Sequence, residues 1–333
     1  MVCHHGLRSI LCLLLAIYEV KARFCTGSIE NKCVPLESCR IDSSNRYSNW
    51  GCRTTETCCA ESDIIQHRLP IMRECGHVNK KTVTFTLAGL ENMAQEAEQP
   101  WVVAVLDATR LKYKASGSLI AQDLVLTANQ VIADLNANEL IVRAGEWDFS
   151  TNTERDQHVD VAVRNIVRHP DFSGANGANN VALLFLADSF PLTRNIGLIC
   201  LPPPNRNFIT RQCIVGGWDE FKEDRLSKTM KRTEVPVIDS QTCERQQLEY
   251  YPPEFSLDNS LLCVDGRNSW KGYRGVPLAC PLQSDPQRYE LAGILSFGFL
   301  HPGNIPPVFT DVSKIRSWID QERSCLIPIV NYP

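Results

Sequence analysis

The stretch KGYRGVPLACP, Lys271 to Pro281, sets a glycine, two bulky residues and a second glycine ahead of an apolar run that closes on Cys280. Similar apolar runs recur upstream. WVVAVL (101–106), GSLI (117–120), DLVLTA (123–128), ELIVRAG (139–145), VAVRNIV (161–167) and VALLFL (181–186) are short, apolar or alternating, and rich in Val, Ile and Leu. Turn residues separate them at intervals of about ten residues or more, a spacing that predicts an all-β domain. SKIRSWIDQER, Ser313 to Arg323, has a serine cap and apolar residues at Ile315, Trp318 and Ile319, which predicts a C-terminal helix. About 230 residues of strands ending in one helix fit a pair of β-barrels.

The chain has 333 residues, room for about two domains. Its net charge of −4 is mild and both signs are dispersed, which argues against a nucleic-acid partner. At the N-terminus, Arg8 precedes the apolar run Ile10–Tyr18, which is too short to span a bilayer, and Val20–Lys21–Ala22 offers small residues for cleavage. This predicts a signal peptide over 1–22 and a secreted chain starting near Arg23, the alternative being an uncleaved anchor. No later segment is long and apolar enough to cross a membrane, and there is no Asn-x-Ser/Thr sequon.

Fifteen cysteines in a secreted chain predict a disulfide framework. Removing Cys3 and Cys12 with the signal leaves thirteen, an odd number. Six crowd into one short segment: Cys25, Cys33, Cys39, Cys52, Cys58 and Cys59. About 35 residues cannot bury enough apolar area to fold unaided, so covalent staples are the physical solution. Zinc is disfavoured, because paired C-x-x-C ligands are missing and the compartment is oxidising. No metal or cofactor is expected.

The spacing C-x7-C-x5-C-x12-C-x5-CC, with CVPLESC at Cys33–Cys39, resembles the clip domain of arthropod secreted proteases. Fifteen pairings are open on sequence alone. The resemblance implies Cys25–Cys58, Cys33–Cys52 and Cys39–Cys59, a clip domain over 23–59 and a linker over 60–87. Downstream, PW (100–101), GSLI, LVLTA (124–128), RAGEWD (143–148), VALL (181–184), CLPP (200–203), GGW (216–218) and PLACP (277–281) fall in one order. That order resembles the chymotrypsin-like serine protease family over 88–325, leaving 326–333 as a tail. It implies a trypsin-like double β-barrel. RAGEWD and CGHVN (75–79) narrow the resemblance to clip-domain serine protease homologues, including the prophenoloxidase-activating cofactor type.

Such a protease needs a histidine base beside a serine nucleophile, with a carboxylate holding the imidazole. In this register Gln130 stands at the histidine position, Asn180 at the aspartate and Arg274 at the nucleophile. Glutamine has no titratable nitrogen, and a guanidinium is a permanent cation with no nucleophilic atom. Losing the nucleophile or base alone costs this mechanism about a millionfold, on the order of 8 kcal/mol of barrier. The remaining histidines, His67, His77, His158, His169 and His301, sit in other motifs. The resemblance therefore implies no catalytic residue and no enzyme. It places Tyr273 where the activation aspartate would lie, and Asn268 and Pro307 in the former specificity pocket. Gly272 could still offer an oxyanion-type amide.

The same register removes two family disulfides whole, at Ala115 and Val131 and at Trp270 and about His301. It implies Cys75–Cys200, Cys213–Cys280 and Cys243–Cys263, and leaves Cys325 over, as a free or capped thiol or as the link of a disulfide-bonded dimer. Arg68, Arg73 and Lys80–Lys81 are candidate linker cleavage sites. Glu146 and Asp148 lack a dedicated calcium spacing and are read as a surface loop. A protease-shaped surface without chemistry suits a regulatory cofactor or decoy in an extracellular cascade such as innate-immune melanisation. Its expected partners are clip-domain proteases, prophenoloxidase-like substrates, inhibitors or matrix. The alternative is an adhesion, matrix or microbe-binding protein.

Overall fold

In the computed structural model the described residues are 31–35, 56–60, 74–79, 92–218, 228–248, 256–266, 274–297 and 305–326. The chain divides into two compact units, residues 1–72 and 73–333. The predicted signal peptide, the candidate cleavage residues Arg68, Arg73 and Lys81, and Asn268, Gly272 and Tyr273 lie outside the described residues.

In the first unit, β1 (Asn31–Pro35) pairs antiparallel with β2 (Glu56–Ala60), Cys33 opposite Cys58. Cys58 is disulfide-bonded. The three implied clip pairings involve Cys25, Cys39 and Cys52, which lie outside the described residues.

In the second unit, β3 (Val102–Asp107), β4 (Tyr113–Ala121), β5 (Leu124–Thr127), β6 (Leu140–Ala144), β7 (Val159–Arg168) and β8 (Ala182–Leu186) close into one antiparallel barrel in the order β3-β4-β5-β8-β7-β6. A second barrel closes from β9 (Gln212–Gly217), β10 (Lys231–Ile238), β11 (Leu261–Val264), β12 (Pro277–Pro281), β13 (Tyr289–Phe297) and β14 (Val308–Asp311), in the order β10-β11-β14-β13-β12-β9.

The near-continuous apolar runs have a direct cause. Successive side chains on a strand point to opposite faces, and here both faces are covered. On β3, Val103 and Val105 join a core built from all six strands of the first barrel. Val102, Ala104 and Leu106 join a second core that includes Trp218, Leu291, Ile294, Val312 and Ile319. On β8, Ala182 and Leu184 point to the first core and Leu183 and Phe185 to the second. Closure also removes the exposed edges on which strands aggregate.

Among the described residues three disulfides staple this unit: Cys75–Cys200, Cys213–Cys280 between β9 and β12, and Cys243–Cys263. Cys75–Cys200 closes a separation of 125 residues, the case in which a cross-link restricts the unfolded chain most. Backbone bonds reinforce it: Gly76 N–H donates to Leu198 O at 2.6 Å, and Tyr289 N–H donates to Gly76 O at 2.8 Å.

Two helices differ from the sequence reading. α1 (Ser240–Gln247) is an additional helix, capped by Asp239, whose side chain accepts from Thr242 N–H at 2.8 Å. α2 (Val312–Leu326) is longer than predicted and starts earlier. Its first turn is capped by Asp311, which accepts from Ser313 N–H at 2.9 Å, so Ser313 lies inside the helix and is not its cap. No described helix is long and apolar enough to cross a membrane.

Candidate functional site

Strand register brings two of the three singled-out positions together. Thr127, the last residue of β5, pairs with Ala182, the first of β8. Gln130 lies three residues beyond one partner and Asn180 two residues before the other. The chain at 129–131 tightens into a short 3-10 turn. The result is a hydrogen bond from Gln130 N–H to Asn180 Oδ1 at 2.8 Å.

Asn180 is fully buried. Its Nδ2 donates to Ser296 Oγ on β13 at 2.9 Å, and its carbonyl accepts from Thr310 Oγ1 on β14 at 3.4 Å. The amide orientation is dictated by its partners. A backbone N–H can only donate, so Oδ1 must face Gln130, which leaves the NH₂ end for Ser296. A carboxylate here would accept from both neighbours. The amide instead obliges the Ser296 hydroxyl to donate elsewhere, and it does so to Gly177 O at 3.4 Å. That turn rests on the next residue of β13, because a Cβ on Gly177 would lie 2.6 Å from the Phe297 ring.

The backbone at Arg274 and Gly275 is held from both barrels. The Arg274 carbonyl accepts from Ser116 N–H on β4 at 3.2 Å, and Gly275 N–H donates to Leu295 O at 3.0 Å. Gly275 has φ +86°, and a Cβ there would overlap Ser116 O and lie 2.7 Å from Thr127 Oγ1. Gln130, Asn180 and Arg274 are therefore fastened to adjoining elements: β4, β5, the approach to β8, and β13. Gln130 is exposed, Arg274 is partly exposed, and Arg274 has no ion pair or side-chain hydrogen bond with any described residue.

The described histidines are engaged elsewhere. His169 packs on Trp318 of α2 with ring centroids 4.7 Å apart, and burial lowers its pKa. His77 bridges to Arg288. Pro307 is buried, and its carbonyl accepts from Val264 N–H at 3.1 Å. Ala115 and Val131, where a family disulfide would stand, both pack on the first-barrel core. The partners Ser116, Gly177 and Ser296 were not singled out from sequence, since neutral small residues have no chemical signature outside their spatial setting.

The EWD segment is a correction. Glu146 is buried, 4% exposed, as is nearby Glu154, whereas Trp147 and Asp148 are partly exposed, so the surface-loop reading fails at Glu146. Burial first, and then the charge of Glu154, push Glu146 up to about 7, with Arg143 at 3.3 Å opposing. His158 Nδ1 lies 3.4 Å from Glu146 Oε2, but burial and Arg143 lower the imidazole pKa, so this contact is not an ion pair at neutral pH. Among the described residues no group of three or more His, Cys, Asp or Glu is placed to hold a metal ion.

A carboxyl raised from 4.5 in the unfolded chain to about 7 in the fold binds its proton more tightly when folded. Its stabilising contribution is complete below about pH 4.5 and is lost as pH rises through about 7. The wild type is expected to lose on the order of 2 kcal/mol between pH 5 and 8 relative to Glu146→Gln. Urea unfolding of both proteins across that range checks this, and a difference that grows in the wild type's favour as pH rises would refute it.

Two closed antiparallel barrels with a C-terminal helix, and a site held where the barrels meet, define a trypsin-like chain. The trypsin family pattern matches residues 90–319. Phenoloxidase-activating factor 2 of Galleria mellonella is 36% identical over 269 residues, covering 74% of this chain and 88% of that protein. Two Anopheles gambiae proteins, inactive CLIP domain-containing serine proteases A28 and A8, are each 31% identical and each cover 80% of this chain. The alignments take in 73% and 77% of those proteins. The chain belongs to the trypsin family, among its clip-domain serine protease homologues.

Proposed function

We propose that this chain is a secreted serine protease homologue without catalytic activity, acting as a regulatory cofactor in an extracellular proteolytic cascade such as melanisation. The reading rests on one observation above all. In the register that the family resemblance implies, Gln130, Asn180 and Arg274 stand at the positions of base, carboxylate and nucleophile, and the Asn180 amide is hydrogen-bonded to the Gln130 backbone and to Ser296, both neutral. None of the three can take a proton from a nucleophile, and Arg274 supplies no nucleophile. Relatives named phenoloxidase-activating factor and inactive CLIP domain-containing serine protease support the same reading.

A rigid protease-shaped surface without turnover can hold a substrate or localise an active enzyme. The clip unit over 23–59 and the protease-like unit over 88–325 would be joined by a linker whose cutting at Arg68, Arg73 or Lys81 switches the protein on. Reconstitution tests this. The mature chain, intact or cut in the linker, is mixed with a clip-domain protease and a prophenoloxidase. The cut form is expected to change the yield of active phenoloxidase, with the intact form inert. If neither form alters the yield and both bind only matrix or microbial surface, the adhesion reading replaces this one.

A further inference from the structure

We propose that Arg274 anchors a carboxylate side chain of a partner protein, so that the site where the family keeps its nucleophile serves as an acid-recognition site. The inference rests on the non-catalytic reading and adds the chemistry of what is bound.

The three positions hold one amide on β5's extension, one buried amide ahead of β8, and one guanidinium. The only formal charge among them is positive. The groups the structure fastens around them, Ser116, Thr127, Ser296 and Thr310, are neutral. Exposed arginines such as Arg110, Arg155 and Arg164 also have no ion pair among the described residues, but the partly exposed ones are engaged, Arg168 with the Ile132 and Leu135 carbonyls and the rest with carboxylates. Arg274, partly exposed, has no ion pair or side-chain hydrogen bond with any described residue. Other arginines of the unit do: Arg143 with Asp160, Arg194 with Glu96 and Asp156, Arg211 with Glu290, Arg288 with Glu74 and Arg316 with Asp320.

The backbone beneath Arg274 is fixed rather than loose. Its carbonyl is bonded to Ser116, and Gly275 is pinned by Leu295 and packed against Ser116 and Thr127. The backbone share of the ordering cost is therefore met before a partner arrives, and the side chain's rotamer freedom is what binding still has to overcome. Thr127 is three residues before Gln130, whose exposed amide makes no side-chain hydrogen bond in the described residues. A guanidinium offers two parallel N–H donors that match a carboxylate. A sulfated polysaccharide would call for several clustered cations, and the fastened neighbours supply none.

The probe is a capped Ala-Ala-Glu-Ala-Ala peptide, with the glutamine peptide and a heparin fragment as comparisons. Binding to the full mature chain is read by NMR at the arginine Nε–H resonances. The glutamate peptide is expected to shift the Arg274 resonance saturably, to bind at least tenfold more tightly than the glutamine peptide, and to weaken with salt. Arg274→Gln should lose that preference, while Arg274→Lys keeps part of it, which separates lost charge from lost fold. Equal binding of both peptides, no shift at millimolar glutamate peptide, or response to the heparin fragment alone would each overturn the proposal. The assay contains no second protease, so a failed cascade reconstitution leaves this result standing, and the reverse also holds.

Discussion

Arg274→Ser, made alone, is expected to leave peptide hydrolysis at background. The new hydroxyl would face no base, because Gln130 has no nitrogen that can accept its proton. A protease of this mechanism that lacks its base loses about a millionfold in turnover. Adding Gln130→His supplies a base but not its orientation. Asn180 is buried with Oδ1 committed to the backbone N–H of residue 130 and Nδ2 to Ser296. An amide in the carboxylate's place cannot stabilise an imidazolium, and that exchange alone costs about 10⁴-fold. The double variant is therefore expected to stay at least that far below an active family member. Assays of kcat/KM on a panel of peptide esters check the series. Turnover by the single Arg274→Ser variant would show that another group serves as base.

Gly275→Ala is expected to destabilise the protease-like unit by about 4 kcal/mol or more. Two effects add. A φ of +86° is costly for any residue with a Cβ. The added carbon would also overlap the Ser116 carbonyl, which already accepts the Thr127 hydroxyl at 2.6 Å, so a buried hydrogen bond must yield. Both obstacles are tied to the strands of a closed barrel, which cannot give way cheaply. For a unit of this size the melting temperature should fall by roughly 10 °C. Gly174→Ala is the control. A Cβ there meets only the Phe172 ring at 4.0 Å, and its effect should stay within about 0.5 kcal/mol. Melts of the two variants that coincide would remove the claim that the backbone at Gly275 is rigidly held.

The stretch around Gly275 also shows how far sequence reading reaches. The apolar PLACP run reads as a strand, and β12 runs from Pro277 to Pro281. Runs such as VALLFL read as strands because both of their faces are covered by cores, which leaves no polar alternation to see. The contact of Asn180 with Ser296, 116 residues away, is set by barrel closure and has no local signature. Helix α1 was missed for a physical reason. SQTCERQQ buries only Cys243 and Gln247 and has no apolar stripe, and Asp239 two residues before Gln241 was its only cue. Glu146 was read as exposed because carboxylates usually are; its burial depends on Arg143 and the enclosing chain, which periodicity does not report. At α2 the serine is the sequence's cap candidate, but Asp311, already on β14, caps earlier in the chain by accepting from the Ser313 N–H itself.

Covalent labelling with a fluorophosphonate tests the central claim most directly, because the reagent reports an activated serine without any assumption about substrate preference. Intact-mass analysis of the mature chain, uncut and cut in the linker, reads the adduct. The account predicts no adduct in either form under conditions that label an active trypsin-family protease completely. A single stoichiometric adduct on a serine of the 88–325 unit would contradict it and make the protein an enzyme.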